Sequence, residues 1–364
     1  MFFKRLYKNF LTWYYSDSIL ARVIRSSYRK GLLKAFHPLK TSSELTYYPA
    51  IKLANTFISY QSNRIDIENI NNIKLLSILG PYRNLSSFTS AVLALHPNIQ
   101  VLNHSYNTVI TEKTNFIKKA SNTRINEFIR RATFISSKRT VELFGNWIID
   151  GSILDSHAFF NYPDVMNTYE NRFGSAQVKD SFQVMVWKES GRLTDYLMRY
   201  EKTLINLLDH FPRIKFILPV RNPIDCAISN YKLSYHKLLS FEGRSLYESI
   251  PSDSLEGMLE YIIYSHVWCL RFAENYPDRF FVFSQTDVDY SLFAKLAKFL
   301  EVKNDDVWIR DGLKISNFKA HYAYHDNLIN TYIKLLEKYN VNSISNRRFL
   351  TDWTFLQNRT KENL

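Results

Sequence analysis

Glycine is scarce in this 364-residue chain, at nine residues, so few positions offer free access to positive φ and hinges are few. Cysteine is scarcer still. Cys226 and Cys269 are the two present, which excludes a disulfide framework and a cysteine-built metal site. The nine histidines show neither a His-Glu-x-x-His run nor another paired-ligand spacing, so no metal is expected. Apolar runs are too short and interrupted for a transmembrane helix of about twenty residues, and no secretory signal pattern is clear. Acids are also short, with 34 Asp and Glu against 47 Lys and Arg and a net charge of +13. That balance favours anionic partners such as nucleotides, acidic or sulfated sugars, nucleic acid or anionic lipid. What the chain has in quantity is apolar and aromatic residues, 46% and 15%, enough for a packed core rather than disorder.

Two strand-to-helix junctions carry the chemistry. In Lys215 to Tyr231, KFILPVRNPIDCAISNY, the apolar run through Val220 reads as a buried strand ending in the cation Arg221. Asn222 suits an N-cap and Pro223 the first helical position. Asp225 suits the positive end of that helix, and Ser229 lies two turns in on the same side. An Arg at a strand end beside a helix bearing a hydroxyl can hold a phosphate.

The other junction, Lys74 to His96, reads KLLSILGPYRNLSSFTSAVLALH. A buried parallel strand (Leu75, Leu76, Ile78, Leu79) meets the turn Gly80-Pro81. Arg83, Asn84, Leu85, Ser86 and Ser87 follow, and a helix runs through Phe88, Val92, Leu93 and Leu95. This is the layout of a phosphate loop. It lacks the Gly-Lys-Ser/Thr ending and the lysine that a γ-phosphate requires, which argues against a triphosphate kinase.

Two such junctions in this order resemble the PAPS-dependent sulfotransferases, over roughly Lys74 to Lys319. Arg221, Asn222, Pro223, Asp225 and Ser229 match that family's 3′-phosphate motif. Gly80, Arg83, Ser86 and Ser87 match its 5′-phosphosulfate loop more loosely, because Leu85 stands where the family has glycine. The resemblance implies PAPS as donor and PAP as product. It assigns Gly80, Arg83, Asn84, Leu85, Ser86, Ser87, Phe88, Arg221 and Ser229 to the nucleotide. It also implies a base from a strand end. His104 follows the second strand, and Glu189 follows the third, in the Lys188-Glu189-Ser190-Gly191-Arg192 turn. The compact turn beside cations favours Glu189, and position alone leaves both open. The catalytic set is then Glu189, His104, Lys188 and Arg83. A basic, glycine-containing closing loop is expected at Arg310 to His321, with Arg310, Gly312, Lys314 and Lys319.

The expected fold is a three-layer α/β/α class with a mostly parallel central sheet, P-loop NTPase-like. Residues 1–72 form a basic helical extension, 73–320 the nucleotide-binding core with an insertion at about 106–180, and 321–364 a helical tail. Within the core, Phe116 to Arg131 reads as a helix, Phe159 to Tyr169 as irregular, and Thr194 to His210 as one helix. Residues 1–40 carry many cations against the single acid Asp17, interleaved with aromatics. That suits either a helix packed on the core or contact with an anionic membrane surface. The expected location is cytoplasmic, with that peripheral contact open. The acceptor is expected to be a hydroxyl of a carbohydrate, a glycolipid or another molecule, and no nucleic-acid partner is expected. The competing functions are a P-loop kinase or nucleotide-binding relative, and a non-catalytic basic module for nucleic acid or membrane.

Overall fold

The computed structural model of the chain describes residues 52, 54–143, 146–156, 159, 163–174, 178–238, 253–316 and 324–353. The basic 1–40 segment and Lys319 lie outside the described residues. Seven strands are described: β1 (Lys74–Ile78), β2 (Ile99–Asn103), β3 (Val141–Leu143), β4 (Asn146–Ile149), β5 (Val184–Lys188), β6 (Ile214–Val220) and β7 (Phe280–Ser284). Five make one sheet in the order β2-β5-β1-β6-β7, and every neighbouring pair is parallel. The short β3 and β4 pair antiparallel inside the insertion. The three-layer α/β expectation is met, with a main sheet that is parallel throughout.

The strands are buried on both faces, which is why they read as near-continuous apolar runs. Alternation still sorts their side chains. Leu75, Met185, Trp187, Phe216 and Leu218 join one core with helices α2 (Asn122–Ser136), α4 (Ser190–Arg199), α5 (Glu201–His210), α6 (Pro223–Lys232) and α7 (Leu255–Asn275). Leu76, Ile78, Val184, Val186 and Ile217 join the other with α1 (Ser86–Ala94), α3 (Pro163–Phe173), α8 (Tyr290–Leu300) and α9 (Asp306–Lys314). Helix α10 (Asp326–Lys338) adds Leu328, Ile329, Tyr332 and Leu335 to the first core. Among the described residues, no helix is long and apolar enough to cross a membrane.

Two buried cations brace the layers. Lys179 Nζ donates to the carbonyls of Ala94 and His96, each at 2.7 Å, and to that of Ile99. It thus closes the carboxyl end of α1 against the start of β2, where a cation meets the negative helix end. The Arg131 guanidinium donates to Thr108 O, to Ser59 Oγ at 2.7 Å and to Asn55 Oδ1 at 2.6 Å. That fixes residues 54–62 onto α2.

Helix limits differ from the sequence reading where local capping decides. The helix expected over Phe116–Arg131 runs instead from Asn122 to Ser136, because the Ser121 side chain accepts from Arg124 N and caps it. The stretch 159–169, expected irregular, contains the start of α3 at Pro163, a residue suited to a first helical turn. The single helix expected over Thr194–His210 starts earlier, at Ser190, and breaks at Tyr200, which leaves helical geometry at φ −120°, ψ 52°. The closing loop expected at Arg310–His321 is helical as far as Lys314. Gly312 there serves packing: a Cβ at this position would collide with the Phe293 ring. We expect Gly312→Ala to cost about 1–3 kcal/mol, the usual price of overpacking. Thermal and denaturant unfolding would register this loss, and unchanged stability would contradict the packing role.

Candidate active site at the strand ends

Because the main sheet is parallel, the carboxyl ends of all five strands lie along one edge, where ligands of such sheets bind. Along that edge stand His104 after β2, Glu189 after β5, the Gly80–Leu85 loop after β1 and Arg221 after β6. Helices α1, α4 and α6 all start there, so three positive helix ends face the same region.

The β1 loop is tightly determined. Gly80 has φ +102°, and a Cβ on it would come within 2.5 Å of Asn84 Nδ2, so only glycine fits. Its N–H donates to Thr194 Oγ1 at 2.8 Å. Arg83 (φ 64°) and Leu85 (φ 60°) are both left-handed, a conformation that costs a non-glycine residue about 1–2 kcal/mol. Position 85 therefore has the geometry that glycine adopts freely, and here leucine bears the strain. Leu85 is the N-cap of α1 and supplies no side-chain cap, so the first-turn N–H groups face the loop mouth without one.

Asn84 joins the two junctions. It is fully buried. Its Nδ2 donates to the Pro219 carbonyl, and its Oδ1 accepts from Arg221 N at 2.8 Å. Arg83 Nε donates to Ser229 Oγ at 2.9 Å, linking the loop directly to α6. Asn222 caps α6, its Oδ1 accepting from the N–H groups of Ile224 and Asp225. Arg221 sits 3.7 Å from Asp225. Tyr324 donates to Asp225 Oδ1 at 2.6 Å and accepts from Asn222 Nδ2 at 3.0 Å. Ser86 is buried, 3.5 Å from the Ser190 hydroxyl that donates to it. Ser87 is half-buried, and Phe88 packs into the core that holds α1.

On the other side, Glu189 and His104 are brought together. Glu189 is fully buried and His104 is 27% exposed, with Nδ1 3.6 Å from Glu189 Oε2. That is ion-pair range, just past hydrogen-bond length, and Oε2 has no hydrogen-bond partner. Burial pushes the Glu189 carboxyl up, but His104, Arg192 and Lys188 outweigh it, and the net shift is downward. Glu189 is therefore a carboxylate at neutral pH.

Lys188 is buried, and its Nζ donates to Asn103 Oδ1 at 3.1 Å. Burial and the Arg83 charge lower it to about 8, against the pull of Asp150 and Glu189. Asn103 donates in turn to Asp150 Oδ1 at 3.0 Å. Burial pushes Asp150 up to about 6, against the lowering effect of His104, Lys188 and Asn103.

Sequence reasoning missed Asp150, Tyr324 and the hydroxyl of Tyr82. Asp150 and Tyr324 reach their partners across 47 and 99 residues, and no local pattern marks such contacts. A separate cavity of about 860 Å³ opens between residues 59–66 and the first half of α2. Its guanidinium groups are engaged within the protein: Arg131 as above, Arg130 with Glu127, Arg124 with the Glu112 carbonyl and Arg64 over the Tyr60 ring.

No family model matches the chain, and no curated protein does. Similar solved structures include a sulfotransferase domain from the olefin synthase of Synechococcus PCC 7002, at 13% identity and TM-score 0.36, covering 74% of this chain and 94% of that one. Another is the sulfotransferase STF9 from Mycobacterium avium, at 12% identity and TM-score 0.34, covering 73% and 77%. A third is mouse sulfotransferase SULT7A1 complexed with PAP, at 10% identity and TM-score 0.39, covering 80% and 95%.

Removing the Asn84 side chain would leave the Pro219 carbonyl and the Arg221 N–H buried without partners. We expect Asn84→Ala to lose about 2–4 kcal/mol of stability, read by denaturant unfolding. A loss under ~0.5 kcal/mol, the range of ordinary surface changes, would show that the tie is dispensable.

Proposed function

We propose that the protein transfers a sulfuryl group from PAPS to a hydroxyl of an acceptor, with a carbohydrate or glycolipid as the acceptor class. One observation carries the reading. Two anion-seeking strand ends are tied to each other through Asn84 and through Arg83–Ser229, and a buried carboxylate facing an accessible imidazole stands on the neighbouring strands. The donor fits this set by charge and donor count. Arg83, Arg221, Ser229 and the first turn of α1 offer donors, and Asp225 is engaged by Tyr324 and Arg221. The basic overall charge, +13, suits an anionic donor and an anionic or polar acceptor. A triphosphate kinase would need the loop lysine that this chain lacks.

The chemistry is an in-line displacement. The acceptor oxygen forms a bond to sulfur, and the S–O bond to the phosphate breaks. The electron pair leaves with PAP, and the hydroxyl proton passes to a base. His104 is the better base because its side chain is 27% exposed while that of Glu189 is sealed off. With Nδ1 turned to Glu189, the other ring nitrogen faces the acceptor and takes the proton. Glu189 holds the ring and balances the imidazolium charge, as a buried carboxylate does in other nucleophile–base pairs. Lys188, with Arg83 nearby, supplies positive charge for the sulfuryl oxygens or the departing phosphate.

The test is transfer of label from ³⁵S-PAPS to hydroxyl acceptors. We expect His104→Ala to lower turnover by about 10²–10⁴ and Glu189→Gln to lower it less. Full turnover in His104→Ala would remove His104 as the base. Incorporation of no label into any sugar or lipid of a cell extract would contradict the function itself.

The pH profile is a separate check. Lys188 is charged below about pH 8 and neutral above it. Activity should therefore fall as pH rises through about 8. Lys188→Met should be much slower and should lack that alkaline limb. An unchanged limb in Lys188→Met would assign it to another group.

A further inference from the structure

Tyr82, in the donor loop, touches both α6 and the start of α4 at Glu189. Its carbonyl accepts from Asn230 Nδ2 at 2.7 Å and from Cys226 Sγ at 3.2 Å, both on α6. Its hydroxyl donates to Glu189 Oε1 at 3.5 Å and takes a backbone hydrogen bond from Arg192. Glu189 is the N-cap of α4 but makes no side-chain cap. The Tyr82 oxygen does that work instead, at the third residue of the helix. The ring packs against Gly191, where a Cβ would come within 2.7 Å of it, so α4 carries a glycine to admit the tyrosine. Tyr235 meets the same ring edge-on, centroids 5.5 Å apart.

We propose that Tyr82 couples the donor loop to the base: through its hydroxyl, the position of the Gly80–Leu85 loop sets the orientation of the Glu189–His104 pair. This rests on the sulfuryl-transfer reading and adds a device by which donor binding prepares the site for proton removal. Tyr82 is a positioning residue, since its contact is with Glu189 rather than with the reacting atoms.

The charged and titratable groups around this point come from every element packed on it. Glu189 faces His104 from the end of β2, Lys188 from β5 and Arg192 from α4. Tyr82 faces Glu189, Arg192 and Tyr235. Asp150 acts on His104 from the insertion. Burial pushes the Tyr82 phenol far above its ordinary range, so it remains a donor at working pH. Losing that donor leaves the Glu189 carboxylate less stabilised and its negative charge more concentrated on the imidazole. The hold of Glu189 on the ring then no longer depends on where the donor loop sits.

The experiment compares the wild-type protein with Tyr82→Phe and Gly191→Ala. PAP-induced thermal stabilisation reports donor binding, and the ¹⁵N signals of the His104 imidazole report the base without needing turnover. PAP should stabilise wild type and Tyr82→Phe alike. It should shift the His104 signals in the wild type and leave them nearly unmoved in Tyr82→Phe. The kcat of Tyr82→Phe should fall about tenfold or more. Gly191→Ala, which keeps the hydroxyl and displaces the ring, should behave in the same way. An equal His104 response to PAP in all three proteins would overturn the coupling while leaving the donor site intact. Failure of PAP to stabilise even the wild type would overturn the donor-site reading itself, and the coupling with it.

Discussion

The site depends on one buried amide. Asn84 uses both ends of its side chain to tie the loop after β1 to the last residues of β6. The two strands are hydrogen-bonded neighbours, so the sheet already sets their spacing, and Asn84 fixes how their ends are turned. The same loop holds three residues at positive φ, one of them Gly80. Such strain persists only where the surroundings over-determine it. Here they do so through the Gly80–Thr194 bond, the Asn84 tie and the Arg83–Ser229 contact.

Around that tie, the parallel sheet spreads charge along one edge in a fixed order. The Glu189–His104 pair is at one side, the β1 loop in the middle, and Arg221 with Ser229 at the other. Two acids of this region have a cation beside them: Glu189 has Arg192, and Asp225 has Arg221. Lys188 reaches Asp150 through Asn103. Taking these charges out of water is costly unless they are paired, and the pairing leaves the cations held in place rather than merely present.

Much of this was legible in the sequence because it is locally encoded. The runs around Leu75, Val186 and Ile217 are strands buried on both faces, and they read as such. Asn222 caps the helix expected to begin at it. The candidate anion-binding residues could be picked out because a strand, a turn and a helix start are contiguous in the chain. Leu85 stands where glycine was expected, and its backbone is left-handed, a conformation that glycine adopts freely. What stayed hidden is non-local. The break at Tyr200 has no glycine or proline to announce it. Gly312 looked like a loop residue because nothing in the sequence shows Phe293 lying against it. Tyr82 and Glu189 are 107 residues apart, and Tyr324 reaches α6 from the far end of the chain. The burial that separates the shielded Glu189 carboxylate from the accessible His104 ring is likewise set by the fold and not by local sequence.

The central claim is that Arg221, Ser229 and the β1 loop together hold a nucleotide bearing phosphates at both its 3′ and 5′ ends. Isothermal titration of PAP and of AMP, which lacks the 3′-phosphate, tests it most directly in the wild type and in Arg221→Ala. PAP should bind at least about tenfold more tightly than AMP, and Arg221→Ala should abolish most of this difference while AMP affinity changes little. A charge-assisted phosphate contact of about 1.5–3 kcal/mol corresponds to that factor or more. Equal affinity for PAP and AMP, or a preference for PAP that survives Arg221→Ala, would contradict it.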